Sequence, residues 1–301
     1  MSGSSPNQKD ARVSIKASKN RTLVLGAGYL GKRVALAAIQ AGDQVWASTR
    51  SSEKAAQLKD SGLQPVILDW TDRSTLSQIP EVDRVLVAVA YDPRSSHSRY
   101  DLQVGGFSNL LSILNPKVDV CYISTTGVYH QTDGSWVDET SNARPQRAGG
   151  KAHLDAESLL HRMRPDSPWT ILRLAGIYGP QRIPRIKDIV SGRPITASPD
   201  GYLNLIHVSD AVSAVFAAWN SESEQRLFLV ADDLPVVRRD FYTEIANRTN
   251  SLPPSYATAG DNAPDRMRFP TNKRIWNRRF KRWLVPQLQY PTYQAGLDDI
   301  L

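Results

Sequence analysis

Gly26, Gly28 and Gly31 stand at the spacing Gly-x-Gly-x-x-Gly, directly after a run of β-formers from Thr22 to Leu25. There, one glycine allows a tight turn, one lets the backbone approach a pyrophosphate, and one permits close packing of helix on strand. The helix that follows would offer free N–H groups and the positive end of its dipole to phosphate oxygens. That chemistry is dinucleotide binding, with Gly26, Gly28, Tyr29, Leu30 and Gly31 as the expected contacts; a plain glycine turn is the alternative.

A second group follows about twenty residues on, where a fold preferring NAD places a carboxylate for the ribose 2′-hydroxyl. Here stand Ser48, Thr49, Arg50, Ser51 and Ser52, and no carboxylate appears before Glu53. A guanidinium binds phosphate bidentately, so Arg50 and Ser51 point to the 2′-phosphate of NADP, with NAD still admissible. Alternatively, Arg50 and the serines only cap a helix over Glu53–Leu58. Asp69, at the end of an expected strand 65–69, either meets the adenine or caps the next helix. Ala90 ends the apolar run 85–90, with Tyr91 and Asp92 beyond it. A third group, Ser124, Thr125, Thr126 and Tyr129, gathers hydroxyls after the apolar run Val118–Ile123.

The elements needed to position these residues can be read from the hydrophobic pattern. Leu30, Val34, Ala35, Ala38 and Ile39 share one helical face, and Gly42 stops that helix. Strands are expected at 44–50, 65–69, 85–90 and 118–123, with a helix over 100–114. The run 85–90 is apolar throughout, as befits a strand buried on both sides of a parallel sheet. Strand and helix alternate, which predicts an α/β, Rossmann-type, doubly wound parallel sheet. The organisation expected is a disordered tail over 1–20, a dinucleotide-binding domain over 21–178 and a small C-terminal substrate lobe over 179–301. Residues 204–230 of the last part are expected to return to the sheet.

A chain of 301 residues with 41% hydrophobic content suits one large globular domain with a smaller lobe. No apolar run reaches the ~18 residues of a bilayer span, and Met1 to Asn20 has no apolar signal-peptide core. The single cysteine, Cys121, excludes a disulfide framework and thiolate metal clusters. A reducing cytoplasm fits these features. The net charge of +7 raises the question of nucleic acid. Part of that excess lies in Lys273–Arg282, where Trp276, Phe280 and Trp283 alternate with cations, and the segment reads as an amphipathic helix with a basic outer face. No nucleic-acid motif accompanies it. The expected partner is therefore a small molecule, neither nucleic acid nor membrane, and a homodimer is compatible with it.

Further along come Arg144-Pro-Gln-Arg-Ala-Gly-Gly-Lys151, opening a helix that carries Leu154, Ser158 and Leu159, then Leu172-Arg-Leu-Ala-Gly-Ile-Tyr-Gly-Pro180 and His207-Val-Ser-Asp-Ala211. Taken in order with the glycine turn and Ser124-Thr-Thr-Gly-Val-Tyr129, these resemble the extended short-chain dehydrogenase/reductase superfamily. Within it, the chain is similar to the NAD-dependent epimerase/dehydratase group over about Arg21 to Asn247, and Tyr290–Gly296 resembles one atypical branch. The resemblance implies that Thr125, four positions before Tyr129, hydrogen-bonds the substrate oxygen. Strand alternation points Ser124 and Thr126 the other way.

The family's Tyr-x-x-x-Lys pair falls on Arg147 and Lys151. The lysine implies a contact with the nicotinamide ribose. The tyrosine is absent, and a guanidinium has no labile proton near neutral pH. Arg147 could still stabilise an oxyanion or bind a carboxylate or phosphate. Three readings follow: an enzyme using another acid or base, a cofactor-binding sensor or scaffold without turnover, and a partner-binding protein that keeps only the fold. Tyr129 is the preferred substitute acid or base, ahead of Tyr91, Tyr178 and His130; a packed tyrosine and a solvated loop histidine are the plainer states of Tyr129 and His130. Arg173 reads as strand structure. Arg182, Arg185, Lys187 and Arg193 suit an anionic substrate or form an ordinary basic loop. His207 and Asp210 are expected to be structural.

Overall fold

The computed structural model describes residues 20–257 and 271–301. Most of the tail expected over 1–20 lies outside the described residues, as does most of the stretch Ser251 to Pro270, whose four prolines predict a loop. The central sheet has seven strands: β1 (Arg21–Leu25), β2 (Gln44–Thr49), β3 (Gln64–Ile67), β4 (Arg84–Val87), β5 (Asp119–Thr125), β6 (Trp169–Leu174) and β7 (Leu227–Val230). All are parallel, in the spatial order 3-2-1-4-5-6-7. The order reverses between β1 and β4, and the crevice at such a switch point is where ligands bind in open α/β sheets.

Side chains alternate across the sheet, as the pleat requires. Val24, Leu86, Cys121 and Leu172 face α1 (Tyr29–Gln40) and, further along the chain, Val208–Trp219; Leu23, Leu25, Val85, Val87, Val120 and Ile171 face the opposite layer. That layer holds α3 (Gly106–Ile113) and α4 (Ala148–Met163), while α2 (Ser52–Asp60) follows β2. Burying each such aliphatic side chain contributes about 1.5–3 kcal/mol, and both faces of β1 and β4 receive it. Gly42 ends α1 with φ +93°, a left-handed conformation in which glycine meets no Cβ penalty. Strand β4 ends at Val87 and not at Ala90, which leaves Ala88 to Ala90 free to line the crevice. The helix expected over 100–114 opens with a π turn over Asp101–Gly105 before α3.

The remaining chain adds α5 (Ile186–Val190), α6 (Val208–Trp219), α7 (Arg238–Arg248), α8 (Arg278–Trp283) and α9 (Tyr293–Ile300). A separate apolar core gathers Tyr178, Ile189, Leu205, Phe241, Ile245 and Leu297. Leu205–His207 pairs with Gly176–Tyr178 in a sheet of its own, and of residues 204–230 it is Leu227–Val230 that joins the central sheet. Both Asp210 carboxylate oxygens accept backbone N–H groups, from Gln289 at 2.7 Å and Tyr290 at 2.9 Å. That carboxylate anchors the C-terminal segment, the structural role expected of it. The basic stretch 273–282 is not one helix. Arg274–Ile275 pairs as a strand with Trp136–Val137, because Ile275 is buried, and the helix begins at Arg278.

Candidate functional site

A cavity of about 420 Å³ opens at the carboxyl ends of β1, β2 and β4. Gly26, Gly28, Arg50, Asp69 and Ala90 line it, with Lys32 and Lys54. Gly26 has φ +91°, and a methyl there would lie 2.6 Å from the Ala88 carbonyl oxygen. Gly31 packs against the carbonyl of Gly26 so closely that a side chain has no room. Gly28 is different: a methyl on it would meet no protein atom within 4 Å, so its backbone is open to a ligand. It is also the N-cap of α1, with no side-chain cap and no acidic residue in the first turn. The Gly28 N–H is taken up by the Gly26 carbonyl at 2.8 Å, so what the turn offers a phosphate is close approach at Gly28 and the uncompensated dipole of α1. The residues therefore fit a dinucleotide.

Tyr29, Leu30 and Gly31 do not line the cavity. The Tyr29 hydroxyl donates to the carbonyl of Pro180 at 3.0 Å, and its ring lies between the guanidinium groups of Arg33 and Arg182. Leu30 is buried in the core. Ser51 is the N-cap of α2, its hydroxyl accepting from Lys54 N–H at 3.3 Å, so for this residue the capping alternative holds. Arg50 is half exposed, with Asp69 at 3.8 Å. Burial would raise the Asp69 carboxyl, but two hydrogen bonds from Thr71 and the charges of Arg50 and His97 bring it below its ordinary value. Lys32 and Lys54 escaped the sequence reading, although each directly follows a residue that it used. With Arg50 they set three cations against one carboxylate around the cavity.

Thr125 ends β5, half-buried, and its Oγ1 accepts the N–H of Gly127 at 3.0 Å, which leaves its proton available to donate. Ser124 points the other way, as alternation demands, and its hydroxyl donates to Glu157 at 2.5 Å. Glu157 in turn pairs with Arg173, also at 2.5 Å, both side chains being buried. Arg173 donates to the Tyr129 hydroxyl at 2.7 Å, which itself donates to the carbonyl of Asp138 at 2.8 Å. Tyr129 is thus fully buried with its hydroxyl doubly engaged. Burial, partly opposed by Arg173, pushes its pKa up to about 12. Its hydroxyl is thus in the plainer of the two states expected for it, a packed tyrosine held by hydrogen bonds. Tyr178 is likewise fully buried, and burial raises its pKa. Tyr91 is half-buried beneath the guanidinium of Arg99, 4.1 Å from its ring centroid. His130 lies in a loop and is half-buried, with its Nδ1 buried and without a partner among the described residues.

Helix α4 presses its first turn on the Thr126–Val128 turn, the absent side chain of Gly150 making room for the carbonyl of Gly127. Its buried face carries Gly150, Ala152, Ala156, Glu157 and Leu160, with Leu154 and Leu159 partly buried against the cores on either side. Lys151 is exposed. At about 100° per residue, Lys151 and His153 lie on nearly opposite sides of the helix, and it is His153 that turns inward. Its ring bridges the Tyr122 hydroxyl at 2.9 Å and Gln103 at 3.1 Å, and burial lowers its pKa to about 4. Arg147 is the N-cap of α4. The 147/151 pair therefore lies off the buried face of α4. In the basic loop, Arg185 and Arg193 both pair with Asp188, so part of its charge is neutralised within the loop. Lys273, which the sequence offered only as part of a basic stretch, is buried, and its Nζ donates to the carbonyl of Tyr129 at 3.2 Å.

Among the described residues no cluster of three or more His, Cys, Asp or Glu side chains is arranged to hold a metal. No helix among them is long and apolar enough to cross a membrane. Comparison with known proteins agrees with the fold and the glycine turn. The family model for the NAD dependent epimerase/dehydratase family matches residues 22–231. Protein YeeZ of Escherichia coli strain K12 is 23% identical over 248 residues, covering 80% of this chain and 88% of YeeZ. A conserved protein of Silicibacter pomeroyi is 27% identical, with a TM-score of 0.77 over 93% of this chain and 97% of that one. The UDP-glucuronic acid 4-epimerase of Bacillus cereus, solved with NAD, has a TM-score of 0.74 at 18% identity over 93% of this chain and 97% of its own, a likeness of fold alone.

Proposed function

The chain belongs to the NAD dependent epimerase/dehydratase family, and from that premise we propose that it is an NADP-preferring enzyme that reduces, oxidises or epimerises a small polar, anionic substrate. The observation that carries this reading is the cavity at the β1–β4 switch point, where the open backbone of Gly28 and the uncapped α1 meet Lys32, Arg50 and Lys54. The glycine turn and α1 would hold the pyrophosphate. Arg50, flanked by the two lysines, would hold the 2′-phosphate. Bound nicotinamide supplies hydride transfer. Thr125 keeps a proton to donate to a substrate oxygen.

Helix α4 carries no tyrosine, which is the family's usual proton donor, and Tyr129 is buried. Those two observations favour a second reading, a cofactor-binding sensor or scaffold without turnover. Thermal unfolding with NADP, NADPH, NAD and NADH tests what both share. A ligand at about a hundred times its dissociation constant adds about 2.7 kcal/mol, so the expected result is a midpoint several degrees higher with the phosphorylated forms. Absence of a shift with all four ends both readings. NADPH oxidation against a panel of carbonyl compounds and nucleotide sugars then separates enzyme from sensor.

A further inference from the structure

The dinucleotide reading leaves Lys273 unused. It is 6% exposed, and among the described residues its one hydrogen bond goes to the Tyr129 carbonyl, although an ammonium has three N–H donors. Among the described residues no carboxylate lies within ion-pair distance of it, a costly state for a buried charge. Burial and then the charge of Arg147 lower its pKa to about 8, so it still holds its proton at neutral pH.

The next residue after Tyr129 adds to this. The Nδ1 of His130 is buried without a hydrogen-bond partner among the described residues, and the Gln131 main-chain carbonyl accepts from Asn272 N–H at 2.8 Å. Segments 129–131 and 272–273 therefore run together with unspent polar atoms on both. The place matters as well as the chemistry. Tyr129 leaves the turn that Thr125 caps, at the carboxyl end of β5, and Arg147 begins the helix that packs on that turn. Buried polar groups in native proteins are almost always satisfied, and a carboxylate would supply both the missing counter-charge and an acceptor for the remaining Lys273 donors.

We propose that Lys273, with His130 beside it, is the subsite that binds a carboxylate of the substrate. This deepens the functional reading above, on which it rests for the position of the substrate. The test uses NADPH-saturated protein and two matched probes, malonate and the uncharged malonamide, with ionic strength held constant. Malonate is expected to stabilise the wild type and malonamide to have no effect. Lys273→Met should weaken malonate by about tenfold or more, the worth of a hydrogen bond to a charged group, while the NADPH shift is retained. Should Lys273→Met fail to fold, Lys273→Gln, which can still donate to the Tyr129 carbonyl, carries the same comparison. Equal effects of the two probes on the wild type, or an unchanged malonate effect in the variant, would overturn the proposal. Loss of the NADPH shift in the wild type would instead overturn the dinucleotide reading itself.

Discussion

Replacing Arg50 by alanine isolates the residue on which the choice between NADP and NAD rests. Its side chain is 53% exposed, and the carboxylate of Asp69 lies 3.8 Å from its guanidinium. Hydrogen bonds to a charged group are worth about 1.5–3 kcal/mol, and half-exposure puts this one at the lower end. The ion pair with Asp69 that a phosphate would displace is worth about 0–1 kcal/mol at such exposure. A net loss of about 0.5–1.5 kcal/mol remains, which is about 2- to 13-fold in NADPH affinity. NADH lacks the 2′-phosphate, so its affinity should change less than about twofold. Fluorescence titration of both nucleotides against wild type and Arg50→Ala measures the ratio. Repeating it at higher salt should shrink the NADPH effect, since screening acts within about 10 Å at 0.1 M. Equal losses for the two nucleotides would place Arg50 at the pyrophosphate or in the fold. Unchanged NADPH affinity would mean that the 2′-phosphate does not lie at the end of β2.

The two first glycines of the turn should separate fold from binding. Gly28→Ala, whose methyl meets no protein atom, should leave the melting temperature within a few degrees yet cost NADPH binding; Gly26→Ala, which forces a Cβ at φ +91° onto the Ala88 carbonyl, should destabilise by about 1–3 kcal/mol, read by thermal unfolding. Glu157→Ala strands the buried charge of Arg173 and should cost about 3–5 kcal/mol, whereas a Glu157→Leu, Arg173→Met double variant should recover most of it; a larger loss in the double variant would show the pair to be net stabilising. His153 and His207 both have pKa values lowered to about 4 by burial. The unfolded chain takes up these protons below about 6.5 and the folded chain not until about 4, so their contribution is complete above pH 6.5 and is lost as the pH falls towards 4. Melting temperatures from pH 7.5 to 4.5 should drop accordingly, and His153→Gln should flatten the profile.

How much of this molecule its sequence discloses depends on whether the deciding interaction is local. The alternation of Leu23, Val24 and Leu25, the glycines after them and the apolar face of α1 are local, and the sheet, its order and the cavity follow from such patterns. Helix α4 is the counter-example. A reading that keeps charged residues outside places Glu157 and His153 on the surface, and the face of Leu154 and Leu159 then appears to be the buried one. Glu157 is inside because Arg173 on β6 and Ser124 on β5 meet it there, and His153 because Tyr122 and Gln103 do. Those partners are distant in sequence, and together they rotate the helix. That rotation puts Lys151 in water, and it brings Tyr129, through Arg173, into the same buried network. Lys273 was hidden for a related reason: its ammonium is sequestered by a carbonyl 144 residues away, so composition could show only one more cation in a basic stretch. A motif spacing therefore assigns chemistry to a helix only when the helix's phase is known independently. On this chain the phase, set by Glu157, packs Gly150 on the turn that Thr125 caps, turns His153 inward and leaves Lys151 exposed.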